Sequence, residues 1–292
     1  MKDSTVHIKF HNQQYPKSEF DILDLNELFT RKNLEASFTQ LQTVEFYMII
    51  LIQEGTGMHT IDFTQYNYEK GTLFTIRKDQ IHKFHINNSV QGNLLLFTDN
   101  FLVSYLEKVE NYKTLQLFNE LLGEPKIQLT LKELHEINKS IERINLEYFT
   151  LKDDYSLSII RSELHILITK LYRIKSKNNQ VIHSKKYLNE FIIFQEMVEK
   201  NISKHTKVSY YASKMNISTK TLNTITQSII NQSAKVFIDD IHIKQIKRLL
   251  LNTHSPIKEI AYLTGFEETS NFYKYFKRHT TLTPEQFRDK NY

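Results

Sequence analysis

The sequence contains no cysteine, which excludes disulfide bonds and metal sites built from thiolates. It also lacks a long apolar stretch: the longest uninterrupted run is residues 46–52, whereas a membrane helix needs about 20 apolar residues. No apolar segment of signal-peptide length follows the first residues. We therefore expect a cytoplasmic protein that does not enter a membrane.

The positive charge is concentrated in the C-terminal part of the chain. The whole chain carries +5, but residues 181–292 hold 17 Lys+Arg against 10 Asp+Glu, a net +7, while residues 1–180 hold 21 against 23, a net −2. Neutralisation of phosphates is the main sequence-independent source of nucleic-acid affinity. The asymmetry favours a polyanionic partner for the C-terminal part, although an excess of this size also occurs on domains that never touch nucleic acid.

Short, aromatic-rich segments of alternating polarity occupy the region from residue 44 to residue 98. Turn residues separate them, as an antiparallel sandwich or barrel requires. The predicted strands are residues 46–53, 57–63, 72–76, 82–86 and 93–98. The N-terminal part is therefore expected to be an antiparallel β-barrel.

After residue 99 the apolar residues recur at helical spacing. They form two stripes, which are Leu131, Leu134, Ile137, Ile141, Ile144 and Tyr148 in the first and Ile159, Leu164, Leu167, Ile168 and Leu171 in the second. Two amphipathic helices are predicted, which either pack only against the β domain or use one stripe to pair with a second copy of the chain. We favour the second arrangement, a homodimer.

A polar segment, residues 173–186, follows these helices and is typical of an interdomain linker. We expect a first domain at residues 1–175, a linker at residues 176–188 and a second domain at residues 189–292.

Two stretches of the second domain, about 50 residues apart, share one pattern of spacing. Ala212 precedes Asn216 by four residues, as Ala261 precedes Gly265; a small residue lets two helices approach, and Asn and Gly tolerate a left-handed backbone. The intervals of four, five and six residues that join Leu222, Thr226, Asn231 and Phe237 are repeated by Phe272, Phe276, Thr281 and Phe287. Each copy predicts a helix-turn-helix.

Helix N-caps are predicted at Ser218, Ser255 and Thr283, and a proline follows each of the last two. Between the copies, residues 234–251 predict one helix about 27 Å long. Recognition helices that enter successive major grooves on one face of DNA need a separation of about 34 to 36 Å, which such a helix and its flanking turns supply. The predicted fold class is α+β with several domains: the antiparallel β-barrel with flanking helices, then an all-α domain with two helix-turn-helix units joined by a long helix.

The second copy resembles the signature of the AraC family of transcription regulators. The residues that carry the resemblance are Ile260, Ala261, Gly265, Phe266, Ser270, Phe272, Phe276, Lys277, Thr283, Pro284, Phe287 and Arg288. The family commonly couples this module to an N-terminal cupin-like barrel that senses a small molecule and helps to dimerise. The resemblance implies double-stranded DNA, RNA polymerase and a small-molecule effector as partners, with no cofactor and no enzymatic activity.

The sequence departs from the family at five positions. Asn231 and Thr281 stand where the family usually has Gly, Thr226 where it has Phe, Ala234 where it has Pro, and His242 where it often has Arg. Most of these positions lie in or just after the first copy, which is therefore the weaker match.

The expected DNA contacts lie on the two recognition helices. On the second, about residues 269–279, Phe272, Tyr275 and Phe276 are expected to be buried. This leaves Thr269, Ser270, Asn271, Tyr273 and Lys274 facing outward. By resemblance, Thr269, Asn271 and Lys274 occupy groove-facing positions, where Asn pairs with adenine and Lys with guanine acceptors, and Lys277 and Arg278 hold phosphates. Ser270 is also expected among the DNA contacts. In the first copy the outward residues are Thr219, Lys220, Asn223, Thr224 and Gln227. The alternative for each residue is a solvated helix face.

The effector pocket is expected inside the barrel, lined by some of Phe46, Met48, His59, Phe74 and Phe84. Two other functions compete with a sensor. One is a cupin-type metal enzyme with an accessory DNA-binding domain, and the other is a DNA-binding protein whose barrel only dimerises.

Three histidines and a glutamate in the β region, namely His59, His82, His85 and Glu69, suggest a metal site. Cupin enzymes use a His-x-His pair and a Glu on adjacent strands, but residues 58–61 lack the second histidine. His82 and His85 are three apart and therefore point to opposite faces of a strand. We expect no metal site.

Overall fold

The computed structural model describes residues 6–12, 15, 18–30, 40–62, 64–78, 80–85, 89–98, 100–101, 117–118, 124–178, 187–204, 206–253 and 255–291. The chain divides into two compact units, one formed by Val6–Gln180 and one that begins at Val181. No helix within these described ranges is long and apolar enough to cross a membrane.

The strands of the N-terminal unit form two sheets. The strands are β1 (Val6–Ile8), β2 (Phe20–Asp24), β3 (Gln42–Val44), β4 (Tyr47–Glu54), β5 (Gly57–Ile61), β6 (Thr64–Tyr68), β7 (Thr72–Ile76), β8 (Ile81–Phe84), β9 (Gln91–Phe97) and β10 (Lys126–Gln128). One sheet has the order β1-β3-β8-β5-β6 and the other β10-β7-β4-β9-β2. The predicted antiparallel arrangement is confirmed for the predicted strands, which pair as β4–β7, β4–β9 and β5–β8. The short strands β1 and β3, which were not predicted, pair in parallel, and a closed barrel is not confirmed.

All five predicted strands are present as β4, β5, β7, β8 and β9, with ends that differ by at most two residues. Of the predicted ends, Phe63 and Ile86 lie outside the described residues. The other strands, which were not predicted, are three to five residues long.

Residues 48–52 of strand β4 are apolar without interruption because both faces of the strand are buried there. Met48, Ile50 and Ile52 belong to an apolar cluster that also includes α1 (Leu25–Thr30). Ile49 and Leu51 belong to a second cluster, which the helices that follow the sheets complete. β4 therefore separates the two hydrophobic cores of this unit.

The two predicted amphipathic helices are α2 (Leu131–Asn145) and α3 (Ser156–Asn178), joined through a π-helix at Leu146–Leu151. Their apolar stripes are buried within the chain, because nearly all of the stripe residues belong to the second cluster. The exceptions are Leu131, 79% exposed, and Ile159, 41% exposed. A stripe that pairs with a second copy is therefore the wrong interpretation of this pattern.

Helix α3 continues to Asn178, three residues into the predicted linker at 176–188. Just before that segment, the buried Lys175 side chain donates from its Nζ to the carbonyl of Leu117, 3.1 Å away. Apart from Tyr187 and Leu188, the rest of the predicted linker lies outside the described residues.

The described C-terminal unit is helical. Its helices are α4 (Leu188–Asn201), α5 (Val208–Lys214), α6 (Thr219–Ile230), α7 (Ala234–Asn252), α8 (Ile257–Leu263), α9 (Thr269–Thr280) and α10 (Pro284–Asn291). The pairs α5–α6 and α8–α9 are the two predicted helix-turn-helix units, and α7 is the predicted helix between them. Its 19 residues give a length of about 28 Å.

The turns use the residues that the repeat singled out. Asn216 has φ of 54° and Gly265 has φ of 87°, and each lies in the turn of its helix-turn-helix. Asn231 and Thr281, which end α6 and α9, are also left-handed, with φ of 54° and 65°. The backbone thus requires at all four positions the conformation that glycine tolerates best.

Two of the three predicted caps are confirmed. Ser218 Oγ accepts from the backbone N–H of Thr221 at 3.0 Å, and Thr283 Oγ1 accepts from the N–H of Gln286 at 3.2 Å. The third is wrong, because Pro256 is the N-cap of α8. The carbonyl of Ser255 instead accepts from Nη2 of Arg288 at 2.9 Å.

Gly265→Ala is expected to destabilise the chain by about 3 kcal/mol or more. A Cβ at this position would lie 2.3 Å from the carbonyl oxygen of Ser203, and the positive φ adds strain. Asn216→Ala is the matched control, because it meets the left-handed strain alone and should cost about 1 kcal/mol. Thermal and urea unfolding of the full chain measure both. Equal losses would show that the contact with Ser203 imposes no constraint.

Candidate DNA-binding surface and ligand cavity

The predicted groove face of α9 is an exposed polar surface. Ser270, Asn271 and Lys274 are exposed, as are Lys277 and Arg278 one turn further on, while Thr269 is half-buried. On the opposite face Phe272 and Phe276 are fully buried. The helix therefore presents its basic side chains and the Asn271 amide on one side and its two buried phenylalanines on the other.

Tyr275, predicted to be buried, is half-buried and fixes α9 against α7. Its hydroxyl donates to Oδ1 of Asp239 at 3.1 Å, and its ring packs on Phe266 and on His242, with centroids 5.3 Å away in both cases. Burial and the neighbouring Asp239 carboxylate raise the pKa of Tyr275. The phenol thus stays protonated and keeps the donor that this bond needs.

His242, which stands where the family often has Arg, is also structural. It is buried, and its Nε2 donates to the carbonyl of Thr264 at 2.8 Å. Its ring stacks on Phe266 at an interplanar angle of 11°. Burial lowers the pKa of His242, against the opposing effect of the bond to Thr264, so a neutral imidazole joins α7 to the second turn.

A carboxylate that the sequence analysis missed lies beside the predicted readers. Oε2 of Glu268 accepts from the Ser270 hydroxyl at 3.3 Å and from the Asn271 amide at 3.4 Å. The predicted pairing of Asn271 with a base would compete with its bond to Glu268. Glu268 is itself able to accept from the amino group of a cytosine.

In the first copy, the structure exposes Thr219, Lys220, Thr224 and Gln227 but half-buries Asn223. Both polar atoms of the Asn223 side chain make hydrogen bonds within the fold. Its Oδ1 accepts from the backbone N–H of Ala234 at 2.9 Å, and its Nδ2 donates to the carbonyl of Thr219 at 3.0 Å. Asn223 therefore braces α6 against α7, and its role in reading a base stays a prediction.

The sequence gives a reason for the hydrogen bond from the Ala234 N–H to Asn223. Ala234 occupies a position where the family has Pro, and proline has no N–H. Alanine adds a donor that needs a partner, and Asn223 supplies the acceptor. The alanine at position 234 and the acceptor side chain of Asn223 are thus linked by one hydrogen bond, which a proline at position 234 would not form.

The N-terminal unit contains a cavity of about 880 Å³, within the range of small-molecule sites. Of the predicted pocket residues, Phe46, Met48 and Phe84 line it. His59 and Phe74 do not line it; the buried His59 ring packs against Phe74 at 5.4 Å. These two residues belong to the wall behind the cavity surface.

Several lining residues were not predicted. They are Gln42 and His82 from the first sheet, Asp21, Ile22, Asn93, Leu94 and Leu96 from the second, and Glu142, Asn145, Leu146, Phe149 and Thr150 from α2 and the π-helix. Periodicity places such residues on a face of an element, but it gives no information on which faces meet around an empty space.

Tyr148 holds the π-helix against the second sheet. Its hydroxyl donates to Oδ1 of Asp21 at 2.7 Å and accepts from Nδ2 of Asn12 at 2.8 Å. Burial and the Asp21 carboxylate raise the pKa of Tyr148, which keeps the phenol protonated. A π-helix is rare and often occurs at functional sites, and here it forms one wall of the cavity.

The histidines singled out in the sequence divide between two environments. His59 and His82 are buried and stack at a centroid distance of 5.5 Å, whereas His85 Nε2 is hydrogen-bonded to the hydroxyl of Thr60 at 2.8 Å. In the part of the chain that the structure describes, no three His, Asp or Glu side chains are grouped so as to hold a metal ion.

Comparison with known proteins places both units in one family. A family model for the AraC-like ligand binding domain matches residues 27–147, and a helix-turn-helix domain model matches residues 211–290. The chain belongs to the AraC family of transcription regulators. It is a DNA-binding regulator that carries a ligand-binding domain.

Curated relatives resemble the chain along most of its length. The HTH-type transcriptional activator RhaR of Enterobacter sp. (strain 638) is 21% identical over 253 residues, which cover 85% of this chain and 86% of that protein. The activator RhaS of Escherichia coli (strain SMS-3-5 / SECEC) is 19% identical over 250 residues, with coverage of 84% and 85%.

Solved structures also align with this AraC-family chain. ToxT from Vibrio cholerae strain SCE256, with bound unsaturated fatty acid, aligns over 92% of this chain and 94% of its own at 15% identity, with a TM-score of 0.42. The C-terminal domain of the response regulator yesN from Fusobacterium nucleatum aligns over 34% of this chain and 98% of its own at 24% identity, with a TM-score of 0.32.

Asn223→Ala is expected to cost about 1 to 3 kcal/mol, because the N–H of Ala234 loses its acceptor. Ala234 is the first residue of α7, where proline is well tolerated. In an Ala234→Pro background, which has no N–H, the same change should therefore cost clearly less. Urea unfolding of the four variants gives the coupling free energy, and additive losses would contradict the bracing role.

Lys274→Ala is expected to weaken binding to the chain's own DNA site by about 1 to 3 kcal/mol and to relax selectivity at one base pair. Lys277→Ala should weaken binding to all sequences alike and lower the salt slope by about one. Lys200→Ala, an exposed charge on α4, is the control. Fluorescence anisotropy at several salt concentrations measures all three; unchanged affinity for Lys274→Ala removes this residue from the interface.

Proposed function

We propose that this chain is a cytoplasmic transcription activator that binds one duplex with both helix-turn-helix units. The observation that carries the proposal is the pair of exposed polar faces, on α6 and α9, at the two ends of the buried helix α7. A helix of about 28 Å with its flanking turns suits recognition helices that enter successive major grooves, about 34 to 36 Å apart.

The two recognition helices are not equivalent in this proposal. α9 offers Asn271 and Lys274 to bases and Lys277 and Arg278 to phosphates, whereas the exposed face of α6 has a single cation, Lys220. With Asn223 engaged in the fold, α6 reads with short hydroxyls and Gln227. Sequence selectivity is therefore concentrated in the half-site that α9 contacts.

An effector bound in the N-terminal cavity controls this activity in our proposal. The cavity wall includes Leu146 and Phe149 of the π-helix, which lies between α2 and α3. A ligand that contacts this wall favours one position of the π-helix over another and so biases α3. Binding energy that differs between two conformations is what shifts their populations.

The working form is proposed to be a homodimer that contacts RNA polymerase. Most residues of the two predicted apolar stripes are buried, but Ile159 of the second stripe and Ile166, seven residues further on, are exposed on the outer face of α3, a spacing that brings residues onto one face. The relatives RhaR and RhaS are named as transcriptional activators. We propose that the chain acts by binding and performs no catalysis.

Selection of duplexes from a random DNA pool by the full-length chain, at two salt concentrations, tests this function. We expect a motif with two half-sites about one helical turn apart, bound less tightly at high salt. Light scattering of the selected complexes is expected to give two copies of the chain. A chain with Lys274, Lys277 and Arg278 all changed to Ala is the control. This control is expected to enrich no motif. A pool in which the unaltered chain enriches no motif would refute the proposal, and so would the same motif enriched equally by the control.

A further inference from the structure

The wall of the N-terminal cavity contains a buried imidazole, that of His82, whose ring nitrogens have no hydrogen-bond partner. The part of the wall around His82 is called the deep wall below. His82 lines the cavity and is 0% exposed, and neither Nδ1 nor Nε2 has a hydrogen-bond partner. Buried polar side chains are nearly always satisfied, and an unsatisfied one costs about 1 to 3 kcal/mol. A cost that the fold itself does not require points to a partner that arrives from outside.

The surroundings of His82 show where that partner would lie. Gln42, also buried and lining the cavity, is paired with His82 in the register of β3 and β8. On the far side the His82 ring stacks on His59, and the ring of Phe84 meets its edge at 5.4 Å. His82 also lines the cavity, as do the apolar side chains of Phe46 and Met48.

The imidazole is neutral, because burial lowers the pKa of His82 to about 3. A neutral imidazole offers one N–H donor and one acceptor nitrogen. It cannot supply the positive charge that a buried carboxylate would need, and it cannot neutralise a buried ammonium group either.

The charges of the cavity also disfavour an anion. Among the described residues that line it, the only lysine or arginine is Lys9, which is exposed, whereas the carboxylates are Asp21, Asp24, Glu27 and Glu142. The carboxylates of Asp21 and Asp24 already accept backbone N–H groups. No cation among these lining residues is buried with the deep wall.

We propose that the ligand of this cavity is an uncharged, largely apolar molecule with a hydroxyl group, which His82 binds at the deep wall. A hydroxyl donates to one ring nitrogen of a histidine or accepts from the other, and it needs no counter-ion. The apolar body lies against Phe46, Met48 and Phe84. This inference rests on the proposed effector function and narrows it to one class of compound.

Three probes that differ only in their polar end test the class: 6-phenylhexan-1-ol, 6-phenylhexanoate and 6-phenylhexylamine. Calorimetric titration of the full-length chain at pH 7.5 is expected to show the alcohol binding at least about 10-fold more tightly than either charged probe. Equal or tighter binding of the carboxylate or the amine overturns the proposal, and so does a failure of all three to bind.

His82→Leu separates a ligand-binding residue from an ordinary core residue. It should weaken alcohol binding about 10-fold while the melting temperature stays the same or rises, because the unmade hydrogen bonds are removed. His82→Gln, which keeps a donor and an acceptor, should restore most of the affinity. His85→Leu, outside the cavity lining, is the matched control. If alcohol binding is unchanged in His82→Leu, the imidazole is not the anchor.

A measurement on the unaltered chain covers the case in which a variant fails to fold. The ¹⁵N shifts of the His82 ring should change when the alcohol is added and stay constant with the carboxylate. Unchanged shifts at saturating alcohol overturn the assignment. Operator selection is an independent readout: a chain that selects a motif but binds no alcohol keeps the regulator function and loses this ligand class.

Discussion

Burial of α7 on nearly all sides is the constraint on which the C-terminal unit depends. Phe237 packs against Phe191 and Phe194 of α4, while His242 and Asp239 hold the second helix-turn-helix through Phe266 and Tyr275. The start of the helix is bound by Asn223 and its end by Arg288, which donates to the carbonyl of Leu250 at 2.9 Å. Both recognition helices are therefore braced against one rigid element, and an error in α7 would displace both.

A comparable constraint governs the N-terminal unit. β4 buries both faces, so the core toward α2 and α3 is filled by Ile49 and Leu51 and the opposite core by Met48 and Ile50. Toward the first sheet the packing is incomplete, and the remaining space is the cavity. Close packing is the rule in protein interiors, so this unfilled space is a departure that the proposed ligand would account for.

The elements that the sequence predicted well are those with local signals. Left-handed turns at Asn216 and Gly265, the cap at Ser218 and the long helix α7 follow from residue types at fixed spacings. The length of α3 was underestimated because its last turn is polar. The cap at Ser255 was misplaced because Pro256 takes that position itself.

The sites were less predictable, since they depend on which faces meet in space. Asn223 looked like an outward reader, and only the structure reveals its bond to Ala234. The alternation along their strands places His59 and Phe74 on an inward face, yet neither residue lines the cavity. In the sequence, His82 fits only the pattern of a metal ligand, and no pattern along the chain indicates that its nitrogens are unpaired.

The central claim is that α7 holds two recognition helices on one face of a single duplex, and hydroxyl-radical footprinting of the full-length chain on its selected operator tests it most directly. The account predicts two protected patches on the same face of the DNA, with centres about 10 base pairs apart. A single protected patch, or two patches on opposite faces, would contradict it.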